Sequence, residues 1–273
     1  MMPRKTKVSV AVFEPPKLVA PGWSPLAIPA QKTFETSKLR PAGWRGGVYG
    51  MVVHTTGRGL PTKAKKAKQY PTVRAVNYYS TSRGCHYVNG YRGHEGGDLL
   101  QMANEDEQAW GVSSHEQRDS YKRGWEGDLP KSLVKRWKER WPGYAHPLDL
   151  LPGSRTVNSC YIHVECIPLL GASLEHVKAF GGSLFTDEQH RTVAALAVDA
   201  AERNKWKGAW WRTARLVGHE DLTPITRHNR AGGWDPGYLR AAPYFSWNLV
   251  VDYIGDFLGV TMTGDDHTKA PKG

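Results

Sequence analysis

At 273 residues the chain is long enough to bury the core of one large domain or two small ones. Its 37 Lys and Arg against 26 Asp and Glu give a formal charge of +11, which predicts attraction to something anionic: nucleic acid, a membrane surface or a charged cell wall. Three cysteines without a CxxC pair exclude a disulfide framework and a structural zinc knuckle, so Cys85, Cys160 and Cys166 are expected as reduced, half-buried thiols.

Residues 1–47 are rich in Pro and Gly and read as an extended arm lying over the domain. The apolar run Val8 to Phe13 is too short for a secretory core, and no later run could span a bilayer. Val48 to Thr56 reads as an apolar strand ending in His54, which is either a ligand or a strand-end residue. Pro61 to Ser80 carries a lysine cluster and helical spacing, most simply a solvated helix face. Gly84 to Gly90 and Asp98 to Met102 read as two strands of a hairpin. Residues 111–157 form a polar insertion with one amphipathic helix, Lys131 to Trp141, either docked on the domain or serving as a basic, aromatic flap.

Val157 to Cys166 alternates as a strand, with Ile162, Val164 and Cys166 on one face and Tyr161, His163 and Glu165 on the other. Glu165 with His163 fits either a general base beside a metal or a surface pair. Thr186 and Gln189 form a capping-box pattern opening a helix that runs to about Asn204. Ala214 to Val217 is an apolar run that delivers His219, and Asp235 follows sixteen residues later between Trp234 and Pro236-Gly237. His and carboxylate presented from rigid ends suit a catalytic zinc site, which takes three protein ligands and one open position. A closing helix spans Trp247 to Leu258, and the polar tail from Thr261 is expected to be disordered.

Six of these stretches, in order, resemble the type 2 N-acetylmuramoyl-L-alanine amidases. They are Val52-Val53-His54-Thr55-Thr56, Gly84-Cys85-His86-Tyr87-Val88, Gly97 to Gln101 with Ala109-Trp110, Asn158 to Glu165, Thr186 to Gln189, and Gly218-His219-Glu220-Asp221 with Asp235-Pro236-Gly237. The resemblance implies an α/β fold, with a central mixed β-sheet flanked by helices. It forms a single domain at 48–259, containing insertion 111–157, after the arm 1–47 and before the tail 260–273. It also implies a zinc ion held by His54, His219 and Asp235, with Glu165 as general base, acting on peptidoglycan between the muramic acid lactyl group and L-alanine.

Three positions depart from the family pattern. Gly111 stands where a His often follows the Ala-Trp, Cys85 where some members have Tyr, and Gly233 where a Lys often stabilises the oxyanion. Arg227, His228 or Arg230 is expected to reach in for that Lys, Arg230 foremost. His228 competes with Asp235 as third ligand, and His86 is expected to bond behind the site. The implied setting is a phage endolysin, made in the host cytoplasm and acting in the periplasm and cell wall after holin-type release. A virion lysin, a wall-recycling enzyme and a non-catalytic peptidoglycan receptor are the alternatives. No nucleic-acid partner is expected, and the chain is expected to be a monomer.

Overall fold

The structure is a computed structural model that describes residues 22–29, 38–39, 48–55, 84–153, 155–168, 184–229, 235–236 and 245–271. The lysine-rich segment Pro61 to Ser80, Arg230, Gly233 and Gly237 lie outside the described residues.

Among the described residues there are eight strands: β1 (Ile28–Pro29), β2 (Lys38–Leu39), β3 (Gly50–Thr55), β4 (Tyr87–Asn89), β5 (Leu99–Gln101), β6 (Glu107–Gln108), β7 (Tyr161–Cys166) and β8 (Leu216–Gly218). Six of them form one mixed sheet in the order β1-β5-β4-β7-β3-β8, while β2 and β6 make a small antiparallel pair. β7 and β8 flank β3 in parallel, and β4 joins β7 in parallel. β4 and β5 form the expected antiparallel hairpin. The described part of the arm pairs with the sheet: β1 runs parallel to β5, and the Ser24 amide donates to Gln101 Oε1 at 2.9 Å.

The helices are α1 (Ser114–Ser120), α2 (Lys131–Arg140), α3 (Val157–Cys160), α4 (Asp187–Arg203), α5 (His219–Leu222), α6 (Pro224–Asn229) and α7 (Trp247–Leu258). Among them α4 and α7 cover one sheet face, where Met51, Val53, Ile162, Val164 and Leu216 meet Val193, Leu196, Ala197, Val250 and Ile254. The small alanines of α4 let the two helices approach each other and the sheet closely. The predicted capping box starts α4: Thr186 Oγ1 accepts from the Gln189 amide at 3.2 Å, and Gln189 Oε1 accepts from the Thr186 amide at 3.0 Å. Gln189 Nε2 then donates to the carbonyls of Asn89 and Ile167, fixing the helix to the ends of β4 and β7.

The other face carries Val52, Tyr161 and Val217, and the insertion buries it with Trp125, Leu129, Trp137, Trp141 and Leu150. Trp137 and Trp141 are therefore core residues, so α2 is docked rather than a flap. Burying both sides explains why β3 reads as a nearly continuous apolar run.

Four expectations need correction. The cysteines are free, as expected, but fully buried rather than half-buried, and burial pushes the Cys166 thiol up to about 12. Only Tyr161–Cys166 is a strand. Val157–Cys160 is a helical turn because Ser159 Oγ and Cys160 Sγ donate back to the Thr156 carbonyl. Glu165 and His163 share a face as predicted, but that face is covered, with His163 fully buried. The tail is seated rather than disordered: Lys269 Nζ donates to the carbonyls of Trp211, Thr213 and Leu216 at 2.7, 3.1 and 2.6 Å. The three carbonyls supply acceptors for the buried amine, while burial, with Arg140 nearby, holds its pKa well below the usual lysine range. Among the described residues no helix is long and apolar enough to cross a membrane.

Candidate active site

His54 is the fifth residue of β3, and its neighbour across the ladder on β7 is Glu165. Partners in parallel register place their side chains on the same face, with strands about 4.8 Å apart. β8 ends at Gly218, so His219 is the first residue of α5 beside the end of β3. Asp235 is brought in by two contacts: its carbonyl accepts from the Glu220 amide at 2.9 Å, and its Oδ1 accepts from the Thr55 amide at 2.7 Å. Gly218 makes room for this approach, since a Cβ there would lie 2.8 Å from Pro236 Cδ.

His54, His219 and Asp235 thus converge, all buried, with one donor atom each within 4.8 Å of the others. His54 Nδ1 and His219 Nδ1 are 3.0 Å apart, His219 Nδ1 lies 2.7 Å from Asp235 Oδ2, and His54 Nδ1 lies 4.0 Å from Asp235 Oδ1. The outer ring nitrogens are also engaged. His219 Nε2 donates to Glu116 Oε2 at 3.0 Å, and His54 Nε2 meets His163 Nδ1 at 2.9 Å. Arg227 bonds Asp235 Oδ2 at 3.1 Å through Nη1 and Glu116 Oε1 through Nη2.

The electrostatics follow from this packing. Burial and the neighbouring His219 push His54 down to about 3, so it is neutral near pH 7. Burial also pulls His219 down, but the Asp235 carboxylate and the hydrogen bonds to Asp235 and Glu116 together outweigh it, and the net shift is upward. Burial raises Asp235, yet His219, His54 and Arg227 together bring it to about 2. With Nε2 of His219 committed to Glu116, the short contact to Asp235 calls for a positive charge on the inner side of the ring. A proton on Nδ1 meets that need in the metal-free protein, and a divalent cation meets it with better use of all three inner atoms. Two imidazoles and a carboxylate are a donor set that suits zinc and leaves a fourth position open. The residues present fit such an ion.

The sequence-predicted ligands therefore meet, and Glu165 stands beside them. His228 is exposed on α6 and lies outside the cluster. Arg227 reaches the cluster, whereas Arg230 is outside the described residues. His86 sits behind the site as expected: its Nδ1 accepts from the His163 amide and its Nε2 donates to the Glu107 carbonyl, both at 2.9 Å. Sequence reasoning missed Glu116, which belongs to a motif-free insertion and meets His219 across 103 residues.

A buried cluster of two histidines and one carboxylate, beside a Glu, is a donor set that could hold a metal ion, as hydrolytic sites do. The sequence model of the Amidase_2 family, described as N-acetylmuramoyl-L-alanine amidase, matches residues 45–238. The chain belongs to this family of enzymes, which hydrolyse an amide bond of peptidoglycan. Among solved structures it is similar to a selenomethionine derivative of AmpD, at 17% identity and a TM-score of 0.48, covering 87% of this chain and 99% of that one. It is also similar to the Ph2119 endolysin from Thermus scotoductus MAT2119 bacteriophage Ph2119, at 11% identity and a TM-score of 0.38, covering 80% and 89%. No curated protein matches the chain.

Proposed function

We propose that the chain is a zinc-dependent N-acetylmuramoyl-L-alanine amidase, with His54, His219 and Asp235 as ligands and Glu165 as general base. The convergence of three buried donor atoms carries this reading. Zinc in such a site supplies Lewis acidity and ionises water near neutral pH. Glu165 takes a proton from the attacking water and returns it to the amine of L-alanine as the amide bond breaks. Arg227, bonded to both Asp235 and Glu116, holds those carboxylates in place and balances their charge. Arg230 is the proposed oxyanion partner in place of the Lys that Gly233 replaces. Its test is Arg230→Ala, expected to lower kcat with little change in KM; an unchanged kcat removes Arg230 from the mechanism.

The activity is tested by mass spectrometry of peptidoglycan incubated with the protein, with and without a chelator. Free stem peptides beginning at L-alanine, formed only without chelator, are expected. Intact sacculi that retain bound protein would instead identify a receptor. We further propose a phage lysis role, with synthesis in the host cytoplasm and action on the wall after release. The charge of +11 supports contact with an anionic wall. Lysis on expression only with a co-expressed pore-former is the expected result, and viable cells with both present would count against it.

A further inference from the structure

We infer that His163 is a positioning residue for the metal site, setting the tautomer and ring orientation of His54, and that Gly111 exists as glycine to admit it. This rests on the zinc reading above.

For His54 Nδ1 to offer a lone pair to a metal, the ring proton must sit on Nε2. His163 Nδ1 lies 2.9 Å from that Nε2 and is the acceptor for it. The two ring planes are within 22° of each other, which aligns the N–H with the acceptor lone pair. His163 is itself held from behind. Its backbone amide donates to His86 Nδ1, its carbonyl accepts from the His86 amide, and the His86 ring lies nearly parallel to its own at 20°. His86 Nε2 is in turn anchored on the Glu107 carbonyl. The orientation of His54 is thus referred through two imidazoles to the backbone beside β6.

Gly111 fixes the remaining side of His163. A Cβ at position 111 would lie 2.2 Å from His163 Nδ1 and 2.8 Å from the Gly84 carbonyl oxygen. Backbone on one side leaves the substituent no way out, so any side chain at 111 must push the His163 ring away from His54. Outer partners of metal-bound histidines raise ligand basicity and fix the ring, and their loss typically weakens metal binding about 10–100-fold.

The test measures zinc affinity of the full-length protein by competition with a chromophoric chelator, for the wild type, His163→Leu, His163→Asn and Gly111→Ala. Long-range nitrogen–proton NMR reports the His54 tautomer in the same proteins. Expected are about 10–100-fold weaker zinc binding for His163→Leu and for Gly111→Ala, with a His54 Nε2 proton no longer dominant. His163→Asn, whose side-chain oxygen stands near the place of Nδ1, is expected to bind zinc more tightly than His163→Leu and closer to wild type. If His163→Leu does not fold, Gly111→Ala and His163→Asn carry the comparison. Wild-type affinity in both His163→Leu and Gly111→Ala overturns the inference, and so does an Asn variant weaker than the Leu variant, which marks a packing role. A wild type that binds no zinc overturns the metal reading itself, and the inference with it.

Discussion

The Trp141 indole N–H donates to Asp221 Oδ1 at 2.7 Å, and Asp221 lies two residues beyond His219. Asp221 is fully buried and also accepts from the Gly218 amide at 2.6 Å and from Arg140 Nε at 3.2 Å, while its carbonyl accepts from Trp137 Nε1 at 2.9 Å. The insertion thereby braces the strand-to-helix corner that presents a predicted ligand. Packing and ligand geometry meet at this one carboxylate.

Trp141→Phe keeps most of the ring volume and removes one hydrogen bond to a charged acceptor, so a loss of about 1.5–3 kcal/mol is expected. Asp221→Ala strands several buried donors at once and should cost more. Urea denaturation checks both. A Trp141→Phe midpoint equal to wild type would show that Arg140 and the Gly218 amide suffice to hold the corner.

Glu165→Gln replaces a proton acceptor with a near-isosteric amide while leaving the three donor atoms of the cluster untouched. Zinc content should stay near wild type while turnover falls by about 10²–10⁴-fold, the usual contribution of a positioned general base. Metal analysis and a peptide-release assay on one preparation provide the check. Appreciable residual turnover would assign the proton transfer to another group.

Asp235→Ala removes the carboxylate that lies 2.7 Å from His219 Nδ1, and it also deprives the Thr55 amide and Arg227 of an acceptor. Zinc stoichiometry is expected to drop sharply, whereas His228→Ala, at an exposed position, should bind zinc as wild type does. The reverse pattern in metal analysis of the two variants would make His228 the third ligand.

Much of this was legible because the elements that carry the cluster have strong local signals. The alternation of β7 assigned Glu165 and His163 to one face, and the apolar run before Gly218 placed His219 at a strand end. The capping box marked the start of α4 from Thr186 and Gln189 alone. The partners were not legible, because they are tertiary. Glu116 reaches His219 from an insertion whose pattern shows only an amphipathic helix, and His163 is a neighbour of Glu165 in sequence but a partner of His54 in space. Lys269 misled for another reason: hydropathy counts an ammonium as solvated and cannot count three carbonyls waiting for it.

His190 gives the fold a pH dependence away from the metal cluster. Its Nδ1 lies 2.7 Å from the Thr186 carbonyl and so carries the proton, while its Nε2 accepts from the Ser246 amide at 3.1 Å. The neutral ring thus ties the start of α4 to the cap of α7, and protonating Nε2 would break the second bond. Burial pushes its pKa below the usual 6.5, against opposing pulls from the Thr186 carbonyl and Asp187. Below about pH 6.5 the unfolded chain therefore binds a proton that the folded chain resists, so this contribution to stability is lost as pH falls toward the folded value. Urea midpoints at pH 7.5 and 5.5 should fall further for wild type than for His190→Leu, which cannot titrate there. Equal falls in the two proteins would place the acid sensitivity elsewhere.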